Sequence, residues 1–394
     1  MRIRLARPSL VLAALMACQV HAQPWARHAI DNSSRGADGV RVADVNGDGW
    51  LDLTTAWEEG GVIRVYLNPG PNKSKQPWPA VTVGIVTSPE DAVFADIDGD
   101  GAVDVVSSCE GKTRQIFVHW APSIADNYLN AGAWRTEKLP CADNDQMWMF
   151  CLPMQIDGRF GVDLIAGSKG PGASVGWLQA PANPRDVAAW KYHLLYNAGW
   201  IMSLIARDMD NDGDQDVLVS DRKGSDRGVL WLESPGSADA ASGQRWHAHR
   251  LGAADREVMF LAVGDRDGDY PGSIFATCRG SGITMLSPPR WALSDIPMPT
   301  NCGTGKGISL TDINLDGRTD VVFTCENATG NKSGVRWLSG GEAGSWKDHE
   351  ISGPAGIKFD RIELLDLDQD GDLDVITCEE RANLGVIWYE NPTR

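Results

Sequence analysis

A nine-residue acidic pattern recurs seven times along this chain, and its spacing constrains the fold more than any other feature. The copies are DVNGDGWLD (44–52), DIDGDGAVD (96–104), QIDGRFGVD (155–163), DMDNDGDQD (208–216), DRDGDYPGS (265–273), DINLDGRTD (312–320) and DLDQDGDLD (366–374). They start 52, 59, 53, 57, 47 and 54 residues apart. Five match D-x-[DN]-x-D-G-x-x-D in full, while those beginning at Gln155 and Asp265 are degraded. Self-similarity at such a period is the signature of a propeller or a solenoid.

More than the acidic run repeats. A short apolar stretch precedes it, as in AVFAD (92–96) and SLIARD (203–208), and another follows, as in DVVSS (104–108) and DVITC (374–378). A third ends in a turn, as in GVLWLESPG (228–236) and GVIWYENP (385–392). A fourth carries a tryptophan and often a histidine: WRTEKL (134–139), WKYHLL (190–195), WHAHRL (246–251) and WKDHEI (346–351). Four short strands separated by Gly, Pro, Asn and Asp turns read as one propeller blade. The expected fold is therefore all-β, a seven-bladed β-propeller of four-stranded blades occupying residues 23–394 as one domain. WARHAI (25–30) matches a fourth strand, and the final residues follow a third strand. The N-terminal strand should join the last blade and close the ring, which leaves no free sheet edge. These repeats resemble the FG-GAP/VCBS family of calcium-loop propellers, found in integrin heads and secreted bacterial proteins. That resemblance implies fold far more firmly than function.

Alternate side chains of a tight loop can turn oxygens toward one centre, which suits a hard cation such as Ca²⁺. The candidate ligands are Asp44, Asn46, Asp48 and Asp52; Asp96, Asp98, Asp100 and Asp104; Asp208, Asp210, Asp212 and Asp216; Asp312, Asn314, Asp316 and Asp320; and Asp366, Asp368, Asp370 and Asp374. About five structural calcium ions are expected, each pinning the hairpin between first and second strands. The 18 aspartates in these sets make up much of a net charge of −17. Such acidity argues against nucleic acid, which requires a basic face.

Residues 1–22 read as a secretory signal: Arg2, Arg4 and Arg7, an apolar run from Leu10 to Ala17, then Val20-His21-Ala22 as a cleavage site. Leu15-Met16-Ala17-Cys18 also resembles a lipobox, which would make Cys18 a lipid anchor. No other segment has the length and apolarity of a membrane span. The mature protein is expected to be secreted or periplasmic, tethered at most by one end, and monomeric. In an oxidising compartment some cysteines should pair. Cys109–Cys141 and Cys278–Cys302 are the expected bridges, with Cys141–Cys151 as the rival, and Cys325 and Cys378 suit buried positions.

Function is expected on the face away from the acidic loops, where the repeats stop resembling one another. Loops between second and third strands, with the crossings between blades, bring Glu58, Glu90, Glu110, Lys112, Trp148, Lys169, Trp200, Arg222, Lys223, Glu257, Arg279, Lys306 and Glu379 to that face. Aromatic platforms ringed by acids and bases suit sugars. The expected function is binding of a carbohydrate or a cell-surface protein partner. The alternative is a polysaccharide lyase or sugar dehydratase acting by β-elimination, which needs a cation for the uronate carboxylate and a base for the C5 proton. Catalytic residues cannot be assigned: five of the seven histidines fall in outermost strands, and His119 lies in a third strand.

Overall fold

The computed structural model describes residues 23–394 apart from 125–126, 144 and 266–267. The expected signal segment and Cys18 lie outside the described residues. Seven antiparallel sheets of four strands follow one another around a ring. Blade 1 comprises Ala37–Ala43, Asp52–Trp57, Val62–Tyr66 and Ala80–Ile85, and blade 2 Pro89–Ala95, Asp104–Cys109, Ile116–Trp120 and Arg135–Lys138. Blade 3 comprises Met147–Pro153, Leu164–Lys169, Ser174–Gln179 and Lys191–Asn197, and blade 4 Ile201–Arg207, Asp216–Asp221, Gly228–Glu233 and His247–Gly252. Blade 5 comprises Glu257–Val263, Ile274–Arg279, Gly282–Ser287 and Ala292–Ile296, and blade 6 Thr304–Thr311, Asp320–Glu326, Val335–Gly340 and Trp346–Glu350. Blade 7 takes Phe359–Leu365, Asp374–Glu379 and Gly385–Glu390 from the end of the chain and Ala26–Asp31 from its start. Ala26 faces Glu390 and His28 faces Trp388 across that last pairing.

Burial explains the repeated hydrophobic pattern. A second strand is covered on both faces by neighbouring blades, so Asp52–Trp57 and Asp104–Cys109 are buried at every position. Outer strands alternate and stay largely wet, as His247–Gly252 does. The core lies between blades: Ile313, Val322 and Trp337 of blade 6 pack with Phe359, Val375 and Tyr389 of blade 7. The glycine in the sixth place of the full acidic loops has φ between +85° and +99° (Gly49, Gly101, Gly213, Gly317, Gly371), a conformation that costs other residues a Cβ clash. Among the described residues helix is confined to short pieces such as Ser237–Ala241, and no helix is long and apolar enough to cross a membrane.

The expected cysteine bridges are not formed: Cys109, Cys141, Cys151, Cys278, Cys302, Cys325 and Cys378 are all free thiols. Cys302 bridges to Ser333 of blade 6 and its thiol meets Cys325, so the crossing has already left blade 5 and Cys278 behind. The Cys278 thiol instead reaches the Thr284 hydroxyl at 3.5 Å.

Candidate functional site: an axial cup lined by two rings

Strand register builds the site. Toward this end first and second strands pair at Ala37–Trp57, Pro89–Cys109, Trp148–Ser168, Ile201–Asp221, Val258–Cys278, Gly305–Cys325 and Phe359–Glu379. Directly after each of these pairs, or one pair later in blade 1, the first strand breaks register. Such a bulge re-aims the side chain that follows. The residues one place on form a lower ring of Asp38, Glu90, Met149, Met202, Met259, Lys306 and Asp360. One place beyond the second-strand partners, an upper ring contains Glu58, Glu110, Lys169, Arg222, Arg279, Glu326 and Glu380. Five members of the lower ring and six of the upper line one cup of about 360 Å³, together with Trp200, Lys223, Asn327, Lys358 and Arg381. Phe150 of blade 3 meets Phe260 of blade 5 edge-on at 5.7 Å, and Arg361 lies over Phe260 at 5.6 Å. Blades 3 and 5 are not adjacent, so this contact crosses near the axis.

Charge is segregated around the ring. Blades 1 and 2 contribute Glu58, Glu90 and Glu110, whose carboxylate oxygens lie within 4.8 Å of one another. Burial, with the nearby Glu110 charge, pushes the Glu90 carboxyl up to about 8 even though Lys169 opposes it. Burial and Glu380 likewise raise Glu58. Lys169 stands 3.6 Å from Glu90 and contacts Glu110. Burial pulls that ammonium down, but the two carboxylates outweigh it and hold its pKa above the usual lysine value. Lys306 plays the same part between Asp360 and Asp38, and Lys358 contacts Glu380. Burial together with Asp360 raises Asp38 well above the ordinary range; at Asp360 burial is outweighed by Lys306, which keeps it ionised.

The adjoining sector, on blades 3 to 5, is cationic and apolar. Lys169, Arg222 and Lys223 stand 4.9, 4.4 and 4.8 Å from the Trp200 ring. Beneath them lie Met149, Met202 and Met259, the lower-ring residues of three consecutive blades, all buried.

Of the residues expected at this face, Glu58, Glu90, Glu110, Lys169, Trp200, Arg222, Lys223, Arg279 and Lys306 line the cup. Four do not. Trp148 occupies the register position before the bulge, so it points between blades; it is fully buried and its indole N–H donates to the Ala142 carbonyl at 3.1 Å. Glu379 is fully buried and accepts backbone N–H groups from Ile357, Lys358, Arg381, Ala382 and Leu384, which makes it a loop anchor. Glu257 accepts from Arg222 at 2.9 Å and is the more exposed member of that pair, and Lys112 sits exposed in the turn after Cys109. The methionine floor was missed, although a shared offset from the acidic loop marks Met149, Met202 and Met259 alike. His119 is sealed in blade 2 between Ser107 and Thr136, and burial lowers its pKa to about 3.

The acidic loops sit at the other end of the same strands, one strand length away. Their donor sets fit a hard cation. Oxygens of Asp96, Asp98 and Asp104, and of Asp208, Asp210 and Asp216, converge within 4.8 Å. In the last loop Asp366 Oδ1, Asp368 Oδ1 and Asp372 Oδ1 are buried without a hydrogen-bond donor, a condition that a metal ion relieves. The loops are not equivalent. In the first, Asn46 donates to Asp48 at 2.9 Å, and in the sixth Asn314 donates to Asp316 at 3.1 Å. Arg185 contacts Asp98 and Asp100, and Lys75 reaches Asp368 at 3.1 Å.

The ninth-place aspartate has a second task. Asp52, Asp104, Asp163, Asp216, Asp320 and Asp374 each accept one N–H from the residue after the loop's first position and one from a residue at or within two places of the end of the third strand. For Asp163 these donors are Ile156 at 3.1 Å and Ala180 at 2.7 Å; for Asp374 they are Leu367 and Asn391, both at 2.9 Å. The other four repeat the pattern. Asp163 keeps both bonds in a loop where Gln155 and Arg159 replace acids, so this clamp works without a complete ligand set.

Two stretches, residues 44–107 and 312–377, match the FG-GAP-like repeat. No curated protein sequence matches the chain significantly. In structure it is similar to BBS1N, solved in complex with ARL6DN, at 11% identity over 94% of this chain and 98% of that one, with a TM-score of 0.55. It is also similar to YCF48 from Cyanidioschyzon merolae, at 10% identity over 93% and 99% of the two chains, with a TM-score of 0.53. At such identities the likeness is one of fold.

Proposed function

The chain is an FG-GAP-repeat β-propeller, and from that premise we propose that it is an exported, calcium-stabilised binding module that takes an acidic carbohydrate into its axial cup. One observation carries the reading: an indole, Trp200, stands among Lys169, Arg222 and Lys223 at the wall of a cup with a methionine floor. A sugar ring can stack its C–H face on the indole while its carboxylate meets the guanidinium. The neighbouring acids of blades 1 and 2 accept the hydroxyl donors. Binding is favoured over elimination because Lys169, Lys306 and Lys358 are held charged by their carboxylate neighbours. A charged ammonium has no lone pair with which to take a C5 proton.

The test is calorimetric titration with oligouronates. Trp200→Ala and Arg222→Ala should each weaken binding by about 10- to 100-fold, the range of an interface anchor. Undiminished binding in both variants would sink the proposal, as would selective retention of a cell-surface protein with no glycan bound. Appearance of an unsaturated product absorbing in the ultraviolet would establish the lyase reading instead.

The Glu90 proton supplies a second prediction. Its folded-state pKa of about 8 lies above the ordinary glutamate value. The folded protein therefore holds a proton that the unfolded chain has already lost between those limits, so Glu90 costs stability progressively as pH rises from about 4.5 to about 8. Above about 8 the cup gains a negative charge. Affinity for an anionic sugar should fall as pH passes through that value, and Glu90→Gln should flatten the step. An unchanged pH profile in that variant would remove Glu90 from the account.

A further inference from the structure

Outside the cup, the outer strands carry a repeated pair that the binding function does not use. In four blades a histidine of the fourth strand stacks on the tryptophan opposite it in the third. The centroid separations are 4.6 Å for His193 on Trp177, 4.2 Å for His249 on Trp231, 3.9 Å for His349 on Trp337 and 4.5 Å for His28 on Trp388. This stack covers an apolar ring at the wet edge of a blade, and three of the four cases need no other explanation.

Blade 4 departs from the pattern. Two residues before the stacked histidine the other blades have Lys191, Lys347 and Ala26, paired with Gln179, Ser339 and Glu390. Blade 4 has His247, paired with Glu233. Residues two apart on a strand share one face, and directly opposed residues have their Cβ atoms about 5 Å apart. His247, His249, Trp231 and Glu233 therefore form one patch. One donor atom from each of Glu233, His247 and His249 lies within 4.8 Å of the others. The two imidazoles are 4.4 Å apart, and His249 Nε2 meets Glu233 Oε2 at 2.5 Å.

We propose that Glu233, His247 and His249 form a surface site for a borderline divalent ion of the zinc class. Two imidazoles and one carboxylate are the donor set that Zn²⁺, Cu²⁺ and Ni²⁺ prefer, whereas Ca²⁺ takes oxygen alone. Three protein ligands leave a tetrahedral ion one open position for water or for a donor from another molecule. His247 is exposed and the patch lies on the ring's outer edge, so ion exchange needs no opening of the fold. The Trp231 stack beneath restricts the orientation of the His249 ring.

Titration of tag-free protein with Zn²⁺, in calcium sufficient to occupy the acidic loops, tests the site. One equivalent of Zn²⁺ should bind, and it should be lost in His247→Ala and weakened at least tenfold in Glu233→Gln. These variants spare the Trp231 stack, and an unchanged melting temperature in calcium verifies the fold. His349→Ala, which removes a stacked histidine from blade 6, should retain the equivalent. With Cu²⁺ as the probe, nitrogen hyperfine coupling in the electron paramagnetic resonance spectrum should report two imidazoles. The proposal is overturned if calcium-loaded wild-type protein binds no Zn²⁺, or if the equivalent survives in His247→Ala.

Discussion

Asp163→Ala should be among the most destabilising single substitutions in this protein, lowering the unfolding free energy by about 2–6 kcal/mol. The side chain is fully buried, and its two oxygens hold the N–H groups of Ile156 and Ala180. Truncation leaves both donors in a dry site, and each buried unsatisfied group costs about 1–3 kcal/mol. Asp163→Asn keeps one acceptor and should lose about half as much. The informative feature is the calcium dependence. Since Gln155 and Arg159 spoil this loop as a cation site, the loss measured by urea unfolding should be the same with calcium or with chelator. Asp374→Ala, in a full loop, should lose the clamp and also a share of the response to calcium. A loss at Asp163 that vanished on chelation would refute the separation of clamp from ligand.

Chelation of calcium should lower the melting temperature by roughly 10–20 °C. A site filled at a hundred times its dissociation constant stabilises the fold by about 2.7 kcal/mol, and five such sites act together. Spread over the unfolding entropy of a chain this long, that sum gives a shift of the stated order. The physical basis is the crowding of acids: in the last loop three buried carboxylate oxygens have no hydrogen-bond donor. Asp370→Ala should reduce the response in proportion to one site. Loops in which the protein already supplies partners, through Arg185 at Asp98 or Asn46 at Asp48, should contribute less. A melting curve indifferent to chelator would remove calcium from the account of this fold.

The blades were legible because each acidic loop is a local structure whose glycine and aspartates state their roles within nine residues. The upper ring was legible for the same reason. Glu58, Glu110, Lys169, Arg222 and Arg279 stand six residues after the ninth place of their loops, so counting along the sequence finds them. Trp148 is misplaced from sequence because a one-residue register break decides whether a first-strand side chain faces the axis or a neighbouring blade, and only the offset from the acidic loop, not QMWMF itself, marks where that break falls. Glu379 shares its general position with exposed charges but turns inward, since five backbone donors converge on it only after the loop has closed. The bridge Cys278–Cys302 is expected from sequence because Cys278 ends a second strand and Cys302 lies in a crossing that reaches the same face. A crossing carries Cys302 to the side of Cys325 instead.

The sequence by itself determined the number of blades, the strand count in each, and the end of the ring where the acidic loops sit. These follow from short-range pattern and period, which a chain carries in its covalent order. Tertiary structure alone decided which charges meet at the axis, how Lys169 and Glu90 set each other's protonation, and how His247 comes to face Glu233. Those contacts join residues from 14 positions apart (His247 and Glu233) to 79 or more (Lys169 and Glu90), across strand pairings or between blades. Their geometry depends on register, bulges and burial, which exist only once the ring has closed.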